Sequence, residues 1–496
     1  MLHIKGRQSG SQGFYSVTFI LLSACFLLMS CNQKAFRELT EADRSAFGEY
    51  VNQMDSTLTG VWFDRMGVSQ EADSVFAYLS REVPRNGLDT AAFFIPQIAR
   101  DLEIVHKLAF DSVGISINDL LPRLDANLTK AYIRYATGQR YGFMRPRVFN
   151  YMDPKVGNPG TFARVFDYDL AAPDTTEAAK KVKESDRVSY LIESAPNTYI
   201  YKALLKEMDK TTDAEKRHQL AVNMERCRWQ IPHPKANQRQ VLVNIAAQQL
   251  WAIGGDTVLD MRICCGSVPT KTPLLNSEIS YMQVNPEWVI PYNIIKTEVL
   301  HHAGDSAYFA RNRYTITDKT SGEVVNVADA SAETLRSGNL RISQKGGVSN
   351  SLGRIVFRFP NNFSIYLHDT NNRGAFQRDR RTLSHGCVRV QKPFELACYL
   401  LPDVDEWTRE SIRISMDIPP VTERGRTWIR QHAGTERPFR LISYHDVKPH
   451  VPLYIMYYTT FPNPKTGAID YWPDIYGFDK VISKELKWIS AGSSNR

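Results

Sequence analysis

None of the seven cysteines in this 496-residue chain belongs to a Cys-x-x-Cys pair. His-Glu-x-x-His is also missing, as is any loop of regularly spaced carboxylates, so no metal site is indicated and no cofactor is expected. Basic residues outnumber acidic ones by 61 to 53, for a net charge of +8, yet they are scattered and form no run like a nucleic-acid arm. A nucleic-acid partner is therefore not expected. The positive excess reads as an ordinary solvated surface, although it would also suit an anionic cell-wall polymer or a membrane. Past the amino terminus no apolar run approaches the length of a spanning helix. What is present is a globular composition, 43% hydrophobic and 23% charged, over a length that predicts about two to four domains.

Lys5 and Arg7 precede an apolar stretch over residues 17–29, the size of a signal-peptide core. It runs into Leu28-Met29-Ser30-Cys31, which resembles the bacterial lipobox. The resemblance implies a signal over residues 1–30, cleavage before Cys31, and acylation of its thiol and new amine. Two or more acyl chains anchor a protein stably. The expectation is an exported lipoprotein of the cell envelope, facing the periplasm and lying on a membrane by its lipid anchor. Ordinary cleavage nearby and an uncleaved anchor are the alternatives. In an oxidising compartment Cys227, Cys264, Cys265 and Cys398 could pair, but a bridge between the neighbours Cys264 and Cys265 would be strained. Those two fall in a strand-like run and read as core residues.

Residues 31–235 read as a helical scaffold region. Apolar spacing of three and four marks helices at 41–54, 72–82, 91–110, 119–138, 191–208 and 214–229. Residues 146–172 are aromatic and loop-rich, and 178–186 read as a charged helix or connection. From residue 240 the period becomes that of strands, at 240–245, 257–265, 340–342, 353–359 and 364–368, with a helix at 393–401. The fold class is α+β. A β-rich domain over 236–420 follows the scaffold, with a helical and polar insertion at 297–337 placed to act as a lid. Residues 421–496 read as an extension packing on both.

The chemistry concentrates in Ser384-His385-Gly386-Cys387-Val388-Arg389, with His368 nineteen residues before the cysteine. A lone cysteine and histidine would read as buried and inert. Beside a glycine and an arginine they supply the parts of a thiol nucleophile. A cysteine at its free pKa of about 8.5 is mostly protonated at neutral pH, so an imidazole must take the proton. His368 and His385 are both candidates. Side chains two apart on an extended segment point the same way without necessarily meeting, which counts against His385. Gly386 lets the backbone approach a bound carbonyl, and its N–H and that of Cys387 could stabilise an oxyanion. Arg389 brings a cation to the thiolate or to a substrate carboxylate.

Tyr366-Leu367-His368-Asp369-Thr370, a gap rich in Asn, Arg and Gly, and Ser384-His385-Gly386-Cys387-Val388-Arg389-Val390 together resemble the catalytic signature of the L,D-transpeptidases, the YkuD domain family. Further motifs resemble the large multidomain members: Asn223-Met224-Glu225-Arg226-Cys227-Arg228-Trp229, Thr272-Pro273, Asn285-Pro286-Glu287-Trp288, Leu352-Gly353-Arg354-Ile355 and Asp474-Ile475-Tyr476-Gly477. The resemblance implies Cys387 as nucleophile and His368 as base, with His385 supporting the site and Ser384 orienting either His368 or the loop by hydrogen bonding. Arg389 and Arg354 are then candidates for stem-peptide carboxylates, and Tyr366 and Trp288 for shaping the cleft. The implied reaction is 3→3 cross-linking of peptidoglycan stem peptides with release of D-alanine. Large members often carry a peptidoglycan-binding module before the Asn-Leu-Glu-Arg segment, and residues 201–223 are too short to hold one. Two other readings stay open. The same thiol chemistry could end on water, as in an L,D-carboxypeptidase or endopeptidase, or the chain could be an envelope scaffold with a relic site. Intact Cys387 and His368 argue against a relic. A papain-like protease is disfavoured because there the cysteine precedes the histidine.

Overall fold

The computed structural model describes residues 50, 52–65, 67–146, 149, 165–255, 257–435 and 439–486. The expected signal, Cys31, most of the helix at 41–54 and much of the loop-rich stretch at 146–172 lie outside the described residues. Among the described residues no helix is long and apolar enough to cross a membrane.

The first helix, α1 (Gln70–Arg85), starts where the Ser69 side chain accepts the N–H of Ala72, and it buries Val75, Phe76, Leu79 and Val83. The helix expected at 91–110 is broken at both ends. Phe94 and Leu108 take left-handed φ values of 56° and 53°, leaving α2 (Ile95–Lys107) between a 3-10 turn and a short helix. Residues 119–138 belong to one long helix, α3 (Ile117–Tyr141), capped by Ser116. These helices share a core that includes Trp62, Phe76, Leu121 and Tyr132. α4 (Tyr199–Met208) and α5 (Ala214–Arg228) follow, joined directly by residues 209–213. Leu204, Leu220 and Met224 on these two helices pack into a second core, with the sheet. The cores therefore divide well before residue 235.

Between residues 240 and 456 the strands are β1 (Gln240–Asn244), β2 (Gln249–Gly254), β3 (Thr257–Gly266), β4 (Leu275–Val284), β5 (Trp288–Val289), β6 (Tyr314–Asp318), β7 (Leu340–Gln344), β8 (Ile355–Arg358), β9 (Leu367–His368), β10 (Thr382–Ser384), β11 (Val388–Val390) and β12 (Tyr444–Met456). Nine of them form one sheet in the order β10-β3-β11-β9-β8-β4-β12-β1-β2, and β2 also pairs with β3, so the sheet closes on itself. Within this sheet the short strands β9 and β11 lie side by side and parallel, with Leu367 opposite Val388 and His368 opposite Arg389.

Two expectations need correction. Residues 421–496 do not merely pack on the domain: β12 lies inside its sheet, antiparallel to β4 and parallel to β1. Its register shifts between Asp446 and Val451, and the intervening Lys448-Pro449-His450 interrupts the alternation that would have marked a strand. The insertion also starts earlier and is more ordered than a lid at 297–337. Strands β5, β7 and β6 form a separate three-stranded sheet. With helices at Tyr292–Thr297, Ser306–Asn312 and Ala332–Arg336, they enclose a core of Val299, Phe309, Ile316 and Ile342.

Candidate active site

Strand alternation builds the site. Leu367 on β9 and Val388 on β11 are fully buried and point into the core. Their neighbours Tyr366, His368, Cys387 and Arg389 must then face the opposite side together. All four line one cavity of about 280 Å³, roofed by Trp288, Ile294, Glu298 and Tyr314 of the insertion.

The thiol of Cys387, partly exposed, is pushed up to about 11 by burial, opposed by the backbone of Tyr366, the charge of Arg358, the Tyr366 hydroxyl and the charge of Arg389. His368 is buried. Burial, and then the charge of Arg389, hold its imidazole down to about 3, with the backbone at Asp369 and Leu352 opposing. Its Nδ1 has no hydrogen-bond partner among the described residues. At neutral pH the cavity therefore holds a thiol and a neutral imidazole at rest. Such an imidazole can accept a proton, so the transfer belongs to the moment of attack.

Ser384 acts on the loop rather than on His368. Its Oγ donates to the carbonyl of Cys387 at 2.5 Å and accepts the N–H of Gly386 at 3.2 Å. This corrects the expectation that the Gly386 N–H serves an oxyanion, since the serine already holds it. Gly386 contributes its conformation instead: at φ 115° it occupies a region that side chains disfavour. Its carbonyl accepts from Thr272 Oγ1 at 2.9 Å, which gives the Thr272-Pro273 motif a structural purpose.

His385 lines the same cavity as Cys387, and its Nε2 lies 2.6 Å from the Glu298 carboxylate of the insertion. Tyr366 sits between the groups of interest. Its ring is 5.7 Å from that of His368, and its hydroxyl interacts with the side chains of Trp288 and Cys387. Trp288 lines the cavity from β5. Arg389 also lines it, and its Nε is buried without a partner among the described residues. Arg354 is not brought to the cysteine. It donates to the carbonyl of Met416 at 2.6 Å and to Asp417 at 3.1 Å, beside a different cavity of about 420 Å³. Its expected hold on a substrate carboxylate at this site is therefore withdrawn, because an acidic residue of the chain already occupies its guanidinium.

Glu298, Tyr314 and Arg358 escaped the sequence reading. Arg358 had a usable signal, being the charged end of the otherwise apolar Ile355-Val356-Phe357. Among the described residues no group of three His, Cys, Asp or Glu side chains is arranged to hold a metal ion.

Residues 238–410 match the YkuD family, described as the L,D-transpeptidase catalytic domain, and residues 57–208 match a family described as a scaffold domain. A Haemophilus influenzae protein described as "Putative L,D-transpeptidase" is 30% identical over 315 residues, 62% of this chain and 58% of that protein. The chain thus matches less than two thirds of the length of this curated relative.

Proposed function

We propose that this chain, which carries an L,D-transpeptidase catalytic domain over residues 238–410 and a scaffold domain over residues 57–208, cross-links peptidoglycan stem peptides by two-step acyl transfer on Cys387. The observation that carries this reading is the parallel pairing of β9 with β11, with Cys387 and His368 lining one cavity. In the first step His368 takes the thiol proton as Cys387 attacks the carbonyl between the third stem residue and its terminal D-alanine. The Cys387 N–H is the remaining loop donor for the oxyanion. The C–N bond breaks, D-alanine leaves with the proton from His368, and a thioester remains. In the second step an amine of a neighbouring stem attacks the thioester to give a 3→3 link.

Water would compete for the same intermediate. The roof formed by the insertion, tied to the loop through Glu298 and His385, favours transfer by restricting the solvent that reaches it. We place the chain in the cell envelope, exported and anchored through Cys31, on the strength of the lipobox-like segment.

The test incubates the purified protein with tetrapeptide muropeptides and reads the products by mass spectrometry. Cross-linked dimer with released D-alanine is expected, and both should vanish in Cys387→Ala. Tripeptide without dimer would replace transfer by hydrolysis. Activity that survives Cys387→Ala would sink the mechanism.

A further inference from the structure

The cysteine cavity has a larger neighbour of about 620 Å³, and the two share Trp288, Leu352, Ile365 and Tyr366 in their linings. Cys387 and His368 line only the smaller one. Arg358 lines only the larger one. Where β8 leaves the core, its guanidinium lies over the Tyr366 ring at 4.3 Å and its Nε donates to Gln283 Oε1 at 3.0 Å. Among the described residues no carboxylate pairs with it. Glu287, which lines the same cavity, is held by Arg341 at 2.6 Å. A half-buried cation with a neutral partner, facing a space of ligand size, is set up to receive an anion from outside the chain.

We infer that the larger cavity seats the acyl acceptor and that Arg358 holds a carboxylate on it, so that amines carrying a free carboxylate are preferred to amidated ones. This rests on the acyl-transfer reading. The donor stem occupies the smaller cavity as its thioester, and the acceptor comes from the far side of Tyr366. Its amine nitrogen attacks the thioester carbonyl. The C–N bond forms as the C–S bond breaks, and the amine proton passes through His368 to the departing sulfur of Cys387.

The experiment gives the full chain a tetrapeptide donor with equimolar D-norleucine and D-norleucinamide, and measures both adducts by mass spectrometry. Both acceptors draw on one acyl-enzyme, so their ratio, corrected for free-amine fraction, is independent of how fast Cys387 is acylated. The wild type should favour the carboxylate by about tenfold or more, as a charge-assisted contact implies. Arg358→Met should bring the ratio near one, and Arg358→Lys should keep part of the preference. A wild-type ratio near one, or a ratio unchanged in Arg358→Met, overturns the inference. Should the methionine variant fail to fold, a lysine variant with the undiminished wild-type ratio overturns it as well. Absence of D-alanine release would bring down the acyl-transfer reading itself, whereas release with an acceptor ratio of one removes only the role of Arg358.

Discussion

Cys387 and His368 are each held neutral by burial, with values near 11 and 3, and this sets what the site can do at rest. Alkylation of Cys387 by iodoacetamide should quicken about tenfold per pH unit from pH 6 to 9, because the thiolate fraction grows that way well below its pKa. A plateau beginning below pH 8 would reveal a preformed ion pair instead. Stability carries a second signature. Between about pH 6.5 and 3 the unfolded chain protonates this histidine while the folded chain does not. Stability therefore falls on acidification, by up to about 1.4 kcal/mol per pH unit, and is fully recovered above the unfolded value. His368→Gln removes this component, so its urea midpoint should decline less between pH 7 and pH 4 than that of the wild type. Parallel declines would mean that the imidazole is charged in the folded state.

Among the elements, the insertion behaves as a unit because it has both its own sheet and its own core. Phe309 is almost wholly buried there. Its truncation to Ala should cost about 3–5 kcal/mol locally, the usual price for a buried aromatic. Hydrogen exchange should then speed up over residues 288–344 while β1, β4 and β12 keep their protection. Loss of protection in both sheets together would show that the insertion is no separate unit. The sequence made two of its three strands hard to see. Trp288 and Val289 form a two-residue strand, too short for alternation to register, and Tyr314–Asp318 mixes polar and apolar residues on an edge strand. By contrast α1 and α5, with long apolar stripes or a recognisable motif, were legible to within a few residues.

Across the whole molecule buried charge ties α1 and α3 to α5, the helix whose Leu220 and Met224 pack into the core of the catalytic sheet. Arg228 on α5 donates to Gln139 of α3 and to Asn86 at the end of α1, each at 3.0 Å, and lies 3.3 Å from Glu225. Glu225 in turn accepts the N–H groups of Phe143 and Met144 at 2.8 and 3.0 Å. Arg228→Ala leaves a fully buried carboxylate without its cation and should destabilise the fold by about 3–5 kcal/mol. Adding Glu225→Gln should return part of that loss, as read by thermal unfolding. A double variant no more stable than the single one would contradict this account. The Asn223–Trp229 motif was visible in the sequence, but its task was not, because its partners Asn86 and Gln139 lie far away along the chain. The same division holds throughout. Local pattern alone pointed to the α+β class, the candidate nucleophile and the loop glycine, since periodicity and a compact motif are written in neighbouring residues, while the choice of His368 over His385 as base rests on the family resemblance. Only the tertiary structure decided that β12 lies within the sheet, that Arg354 is spent on Asp417 while Arg358 has no carboxylate partner among the described residues, and that Ser384 claims the Gly386 N–H. Each of those depends on which distant group arrives first to satisfy a charge or a hydrogen bond.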